Sequence, residues 1–280
     1  MSDSKTVVVT GASSGIGLAV AREFALKGYN VIAGARRLSS MEELKKYNVT
    51  TVELDITSPE SVEKLKKLIE TEYDGAIKYL LNNAGQSCAA AAVEVSDDEV
   101  FRCFEVNVFG HIRVTRELAP FVIKTKGTIG FTGSVQGILE TMFLGVYASS
   151  KAAIQSYASG MAFEMAPFGV KVVNFVTGGV RTAMSGIDLK SVLYDEEGLE
   201  EVKKAYSELT KTGMDSHVYA RKVIKDFEHS KLGVVHHYRG AGSTTVWIAH
   251  TFFPKFVLSM LFGSVLKLST LLKSITNKYK

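Results

Sequence analysis

Tyr147 and Lys151 are the two side chains in this sequence whose types and spacing could move a proton. They stand four residues apart in the segment YASSK, so on a helix they share one face. A lysine ammonium beside a phenol favours the phenolate and lowers its pKa from about 10, which makes tyrosine a usable proton donor near neutral pH. Ser134 ends a candidate strand, and its hydroxyl could hydrogen-bond a carbonyl oxygen that Tyr147 protonates. The three residues predict proton transfer to a carbonyl.

The segment TGASSGIG near the start of the chain is open to two interpretations. It contains G-x-S-x-G, which in α/β-hydrolases presents a nucleophilic serine, here Ser13. Its glycines, Gly11, Gly15 and Gly17, also form a turn before a helix that opens at Ile16, where backbone N–H groups could bind a pyrophosphate. Only about ten residues precede the turn, so no earlier strand could supply part of an oxyanion hole. Phosphate binding is favoured, and an ester hydrolase is the minority alternative.

Arg36 and Arg37 follow the second candidate strand. Dinucleotide sites place an acid about 20 residues after the glycine turn to bind the ribose 2′-hydroxyl, whereas an arginine there accommodates a 2′-phosphate. No Asp or Glu occurs between Asn30 and Ser40, so the sequence favours NADPH over NADH. The alternative is a solvated loop whose arginines bind nothing.

Short β-branched runs alternate with amphipathic segments along most of the chain, which is typical of repeated βα units. The pattern predicts an α/β fold, a doubly wound Rossmann-type parallel sheet of about seven strands with helices on both faces and a C-terminal apolar extension. The predicted strands are 6–10, 30–34, 49–54, 77–82, 127–133, 170–176 and 233–238. The predicted helices are 18–27, 60–72, 97–124 and 146–166, with Ser58 as a cap before Pro59.

The composition of the 280 residues is globular, with 46% hydrophobic and 22% charged residues, and predicts one domain over 1–240 followed by the extension 241–280. The net charge of +4 comes without a basic block, so no nucleic-acid partner is expected. The polar start MSDSK predicts no secretory signal. Cys88 and Cys103 lack metal-ligand spacing and a disulfide framework, so we expect separate buried thiols, a reducing compartment and no metal site.

The segment from Val246 to Leu272 is mostly apolar but is interrupted by charged residues and a proline. A membrane-spanning helix needs roughly 20 apolar residues, and the cleanest run here, 256–266, is about half of that. One interpretation is a helix packed on its own domain or at a subunit interface. The favoured one is a segment lying in a membrane interface or lipid monolayer. It is supported by Trp247, Phe252, Phe253 and the lysines Lys267, Lys273, Lys278 and Lys280.

Over about Lys5 to Gly240 the sequence resembles the short-chain dehydrogenase/reductases. The shared features, in family order, are T-G-x-x-x-G-x-G at 10–17, NNAG at 82–85, Asn107, Ser134, Tyr147 and Lys151. The resemblance implies that Tyr147 is the general acid in reduction and that Lys151 lowers its pKa and holds the nicotinamide ribose. It also implies that Ser134 positions the substrate carbonyl and that Asn107 helps a proton relay toward Lys151.

The same resemblance implies an NADP(H) site. Asp55 looks like the family's adenine contact, and Arg116 is a further candidate, with a helix-surface salt bridge as its alternative. Thr177 stands where the family has a proline. The expected cofactor residues are Gly11, Ser13, Ser14, Gly15, Ile16, Gly17, Arg36, Arg37, Asp55, Asn83, Ala84, Gly85, Arg116, Tyr147, Lys151, Val180 and Thr182.

Several stretches, among them FEVNVFGHIRVTREL and YASSKAAI, are most similar to one branch, the fungal NADPH-dependent 1-acyldihydroxyacetone phosphate reductases. This likeness implies a lipid-like ketone substrate, a place in phospholipid biosynthesis, and the cytoplasmic face of the endoplasmic reticulum or a lipid droplet, with the cytosol as the alternative. The family also implies a homo-oligomer. Hydroxysteroid, retinoid and broad carbonyl reductases share the catalytic pattern and remain alternatives.

Overall fold

A single all-parallel sheet of seven strands organises the molecule. The computed structural model describes residues 5–139, 141–182 and 188–278, and it orders the strands β3-β2-β1-β4-β5-β6-β7. The strands are β1 Thr6–Thr10, β2 Asn30–Ala35, β3 Thr50–Glu53, β4 Tyr79–Asn82, β5 Thr128–Thr132, β6 Lys171–Thr177 and β7 His236–Arg239. The order reverses between β1 and β4, which opens a crevice at the carboxyl edge of the sheet. The predicted fold class is confirmed.

Helices cover both faces of the sheet. They are α1 Gly15–Leu26, α2 Pro59–Glu72, α3 Asp97–Phe104, α4 Gly110–Lys124, α5 Gly145–Met165, α6 Glu196–Lys211, α7 Ser216–Glu228, α8 Ser243–Phe252, α9 Lys255–Val265 and α10 Leu268–Lys278. The one long helix predicted over 97–124 is divided by a π-helical turn, Glu105–Phe109. The predicted cap Ser58 is confirmed, since its side chain accepts a hydrogen bond from the Ser61 N–H. Two of these helices, α6 and α7, were not predicted from the sequence.

Each sheet face has its own core because successive strand residues point to opposite sides. In β1, Val7 and Val9 pack into the core formed with α1 and α7, whereas Val8 enters the core formed with α2, α4 and α5. All three valines are essentially inaccessible to solvent. Burying a valine stabilises the fold by roughly 1.5–3 kcal/mol, so this strand anchors the glycine turn that follows it.

The C-terminal extension both packs on the domain and presents an apolar face. Leu266 and Leu271 are buried in a third core beside Val202 and Tyr206 of α6. Large apolar side chains of α8 to α10 are nevertheless exposed, among them Trp247, Phe252, Phe253, Phe256, Met260, Leu261 and Leu272. Within the described residues, no helix is long and apolar enough to cross a membrane. Lys280 lies outside the described residues.

Cys88 and Cys103 form a disulfide, so the expectation of two separate thiols is wrong. The fold brings the loop after β4 against α3, and the two Cα atoms come within 6.1 Å. That distance lies in the range that a disulfide requires. The expectation of a reducing compartment, which rested on separate thiols, loses its support.

Candidate active site

A cleft of about 620 Å³ lies at the carboxyl edge of the sheet. Most of the residues predicted from the sequence line it: Gly11, Ser13, Ser14, Gly15, Ile16, Arg36, Asp55, Asn83, Ala84, Gly85, Ser134, Tyr147, Lys151, Val180 and Thr182. The fold therefore gathers segments that are far apart in the sequence into one site. Four predicted residues, Gly17, Arg37, Asn107 and Arg116, do not line the cleft.

The glycine turn brings backbone close to backbone. Gly11 has a positive φ of 68°, and a Cβ built on it would lie 2.5 Å from the Cα of Ala84. A Cβ on Gly17 would lie 2.4 Å from the carbonyl oxygen of Gly11, so no larger residue fits there. Ser14 precedes α1 without a side-chain cap bond, which leaves the first N–H groups of this helix to bind an anion. The turn therefore fits a pyrophosphate.

Ser13 lacks the partners of a serine nucleophile. None of the histidine side chains in the described parts of the chain hydrogen-bonds to it. Its turn follows β1, which lies in the sheet between β2 and β4. The structure thus offers no support for the hydrolase alternative.

Polar groups at the ends of neighbouring strands fix the floor of the cleft. Asn83 donates from Nδ2 to the carbonyl oxygens of Thr10 and Gly11, at 3.0 and 3.2 Å, and accepts from the Thr132 hydroxyl at 3.1 Å. This side chain ties the ends of β1, β4 and β5 together. Asp55 accepts hydrogen bonds from the backbone N–H and the hydroxyl of Thr57, at 2.9 and 2.7 Å, which holds its carboxylate at the edge of the cleft.

The predicted acid, base and carbonyl-binding groups come together on α5 and the loop after β5. Ser134 accepts a hydrogen bond from the Gln136 N–H at 3.1 Å, and its side chain is near enough to Tyr147 to act on the pKa of the phenol. Tyr147 lies in the first turn of α5, and Lys151 lies one turn further along. The Lys151 Nζ donates to the Thr132 carbonyl oxygen at 2.8 Å and lies 5.8 Å from the Tyr147 ring centroid.

Burial moves the pKa values of this pair in opposite directions. It raises the pKa of Tyr147 above its usual value of 10.0, and the nearby Ser134 side chain acts in the other direction. It lowers the pKa of Lys151 to about 8. The desolvation of the phenol is the largest effect on the pKa of Tyr147, and the expected lowering of that pKa by Lys151 stays a prediction.

Asn107 is fully buried in the π-helical turn behind the cleft wall. Its Oδ1 accepts from the Gln86 N–H at 3.0 Å, and its Nδ2 donates to the Gln86 carbonyl and to Ser150 Oγ, both at 3.1 Å. A Cβ built on Gly85 would lie 3.4 Å from Asn107 Oδ1 and 3.7 Å from Lys151 Nζ. Asn107 and Lys151 therefore face the same small space, and the relay remains a prediction.

Arg37 and Arg116 lie away from the cleft. Arg116 pairs with Glu117 on the helix surface at 3.0 Å, as its alternative interpretation expected. Arg37 is exposed and precedes a 3₁₀ helix, Leu38–Tyr47. Of the two arginines after β2, Arg36 is the one that lines the cleft.

Residues after β6 close one side of the site. Thr177, which replaces the family's proline, donates or accepts a 2.6 Å hydrogen bond with the buried Tyr219 hydroxyl. Val180 pairs with Met214, and Thr182 lies against Gly15 across the cleft. The loop is therefore anchored by α7 and the residues before it.

A buried histidine, His111, and several lining residues that were not predicted from the sequence also belong to this site. Burial lowers the pKa of His111 to about 3, and its Nε2 lies 2.6 Å from the Ala84 carbonyl oxygen. Neutral His111 thus holds the backbone at the cleft. The missed lining residues include Gln136, Leu139, Tyr206, Leu209 and Val246. Apolar residues on separate helices carry no local motif, so only the tertiary structure reveals them.

Comparisons with known proteins agree with this site. A family model for short chain dehydrogenases matches residues 5–191. A Saccharomyces cerevisiae protein named NADPH-dependent 1-acyldihydroxyacetone phosphate reductase is 38% identical over 99% of this chain and 96% of its own length. A Schizosaccharomyces pombe protein of the same name is 37% identical over 65% of this chain and 62% of its own length.

A solved structure gives the same result. The crystal structure of a short-chain dehydrogenase from Streptomyces avermitilis matches 96% of this chain and 99% of its own length, with a TM-score of 0.79 and 27% identity. Its fold therefore extends over nearly all of both chains. The sequence motifs, the cleft and these matches lead to one conclusion: the chain belongs to the short-chain dehydrogenase family.

Proposed function

We propose that this protein is an NADPH-dependent reductase that transfers a hydride to the ketone of 1-acyldihydroxyacetone phosphate and forms 1-acylglycerol 3-phosphate. The observation that carries the proposal is the cleft, in which Ser134, Tyr147 and Lys151 lie opposite the glycine turn. The substrate is supported by the full-length similarity to the Saccharomyces cerevisiae reductase. The coarser statement, an NADP-dependent oxidoreductase of the family, rests on the family match as well.

The lining of the cleft fits NADPH. The glycine turn and the start of α1 would hold the pyrophosphate, Arg36 the 2′-phosphate, and Asp55 the adenine side. Bound NADPH supplies the hydride. The chain's own groups then act on the carbonyl: Ser134 orients its oxygen, and Tyr147 delivers a proton from its hydroxyl as negative charge develops there.

Lys151 and Asn107 would support this proton transfer from behind. Lys151 in its charged form attracts the phenolate that Tyr147 leaves, which favours the transfer. Asn107 shares the space beside Gly85 with the Lys151 ammonium, so a proton could return to the tyrosine through this region. The neutral form of Tyr147, which burial favours, is the form that reduction requires.

An uncharged apolar ketone is a second candidate substrate. The lining of the cleft includes Leu139, Tyr206, Leu209 and Val246. Among the described lining residues, the cationic side chains are Arg36 and Lys151, and both are assigned to the cofactor. This observation favours a hydroxysteroid, retinoid or other carbonyl substrate that carries no phosphate.

The two candidates are separated by a substrate panel. The purified protein is assayed by NADPH oxidation with 1-acyldihydroxyacetone phosphate, a ketosteroid, retinal and a long-chain alkyl ketone. Preferred turnover of the phosphate ester supports the first candidate, and turnover of only the uncharged ketones replaces it with the second.

Tyr147→Phe should lower kcat by about a hundredfold or more while NADPH still binds, because it removes only the acid. A fully active variant would contradict the assignment of Tyr147.

We also propose that the protein works at a lipid surface, that of the endoplasmic reticulum or of a lipid droplet. The exposed apolar side chains of α8 to α10 support this location. Val246 of α8 lines the cleft, so the same helix borders both the apolar surface and the substrate site. A lipid-like ketone could thus pass from a lipid surface to the cleft.

A further inference from the structure

We propose that the Cys88–Cys103 disulfide is a positioning element of the active site, which keeps Asn107 in place by holding the loop after β4 against α3. The proposal rests on the reductase activity and not on the identity of the ketone. It concerns two cysteines that the reduction mechanism does not use.

Each cysteine of the disulfide lies close in sequence to one partner of the hydrogen-bonded pair Gln86 and Asn107. Cys88 follows Gln86 by two residues, and the backbone N–H and carbonyl of Gln86 both bond to the Asn107 amide. Cys103 lies one helical turn before Asn107, whose Nδ2 is 3.6 Å from the Cys103 sulfur. The covalent bond therefore joins the same two segments that the Asn107 hydrogen bonds join.

The loop that carries Cys88 has little regular structure of its own. The chain from Asn83 to Ser96 forms no strand or helix, yet its Gly85 and Gln86 line the cleft. A segment without regular backbone hydrogen bonds keeps its position through side-chain and covalent contacts. The disulfide and Asn107 supply such contacts on the side of the loop that faces α3.

Asn107 connects this contact to the helix that carries Tyr147. Asn107 is fully buried, and its Nδ2 also bonds to Ser150, whose hydroxyl donates to the Tyr147 carbonyl at 2.7 Å. A shift of the loop would change the hydrogen bonds between Gln86 and Asn107. It would thereby change the position of the Asn107 amide, which faces the space near Lys151. The disulfide thus acts on catalysis through Asn107, without contact with the substrate or cofactor.

Reduction of the disulfide provides the test. A small dithiol gives two electrons and two protons to the two sulfurs, the S–S bond breaks, two thiols form, and the dithiol becomes its own disulfide. Cys88 and Cys103 are the only cysteines of the chain, so the reagent acts on this one bond. Cys88 is half-buried and Cys103 fully buried, so the reduction is followed to completion by mass labelling of the free thiols.

The expected result is a loss of kcat with a smaller change in the KM for NADPH. We expect kcat to fall about threefold to tenfold, since small misplacements of catalytic groups cost this much or more. The double variant Cys88→Ala/Cys103→Ala should show the same low kcat and no response to the dithiol. Circular dichroism at the assay temperature checks that both forms are folded.

The effect must also depend on Asn107. In an Asn107→Ala background the dithiol should change kcat by less than about twofold, because the residue through which the disulfide acts is gone. An equal loss in that background would overturn the proposal, as would an unchanged kcat after complete reduction. Two free thiols in the untreated, non-reduced protein would also overturn it.

A second measurement separates this proposal from the proposed function. Hydrogen exchange of peptides that cover 84–91 and 104–110 should become faster on reduction, whether or not any ketone is reduced. If the phosphate ester is not a substrate, the kinetic test uses whichever ketone of the panel turns over. If no ketone turns over, the proposed function fails, and unchanged exchange in these peptides would still reject the positioning role.

Discussion

At the scale of single residues, Tyr147 keeps the proton-donor role that its spacing from Lys151 predicts, but burial changes the pKa values of both side chains. Burial raises the pKa of Tyr147 and lowers that of Lys151 to about 8, so both side chains are shifted toward their neutral forms. The neutral phenol is ready to give a proton in reduction. Lys151 is therefore the group whose charge changes within the pH range of enzyme assays.

The pH dependence of reduction should report Lys151. The pH profile of kcat/KM reflects the free enzyme, and Lys151 loses its charge as pH rises through about 8. We therefore expect kcat/KM for reduction to fall above pH 8, while Tyr147 stays protonated. Lys151→Arg keeps its charge over this range, so its residual activity should lack this fall. A wild-type profile that stays flat up to about pH 10, the unperturbed lysine pKa, would contradict the prediction.

At the scale of elements, the glycine turn could be predicted from the sequence, and the structure shows why glycine is required in it. Gly17 must lack a side chain because it touches the Gly11 carbonyl and the Asn83 amide, although it does not line the cleft. The turn is therefore a packed contact between β1, α1 and the loop after β4. Its shape matters as much as its N–H groups.

Gly17→Ala should weaken NADPH binding by about tenfold or more. The new Cβ would lie 2.4 Å from the Gly11 carbonyl oxygen, and overpacking of this kind costs about 1–3 kcal/mol. Gly160→Ala is the matched control, since a Cβ there meets nothing within 4 Å. Fluorescence titration of NADPH measures both Kd values. Equal Kd values for the two variants and the wild type would show that the turn tolerates the methyl group.

Sequence patterns predicted the strands and helices that have strong apolar periodicity. They did not predict the features that depend on tertiary contacts. The strands and four of the helices follow from apolar spacing. The polar and apolar residues of the π-helical turn Glu105–Phe109 follow the spacing of an ordinary α-helix. The sequence therefore predicts one continuous helix over 97–124. The disulfide depends on how a loop without regular structure returns to α3, which no local signal encodes. For the same reason, the lining residues Tyr206 and Val246 could not be predicted.

At the scale of the whole molecule, the C-terminal extension has one part that packs on the domain and one part that is exposed to solvent. Its buried residues Leu266 and Leu271 fasten it to α6, and its exposed aromatic residues form an apolar surface. Phe252 and Phe256 are 72% and 68% exposed, which is a costly arrangement in water. A lipid surface would cover them, and so would a second copy of the chain.

Phe252→Ser/Phe256→Ser should reduce vesicle binding by at least about tenfold, since each buried phenylalanine contributes roughly 1.5–3 kcal/mol. The assay is cosedimentation with vesicles of phosphatidylcholine and an anionic phospholipid. Phe163→Ser is the matched control because Phe163 is 83% exposed but lies on α5. Failure of the wild type to bind vesicles, together with a dimer that the double substitution dissociates, would assign the surface to self-association instead.

The packing of α7 against α1 sets the order in which the protein can mature on the ribosome. Phe24 of α1 is covered by Phe227, and Lys27 is paired at 2.6 Å with Glu228, which is made 201 residues later. The nascent cofactor-binding half therefore leaves the ribosome with one apolar face of its first helix uncovered. That face stays unshielded for most of translation, so we expect the unfinished chain to bind chaperones that recognise exposed apolar segments.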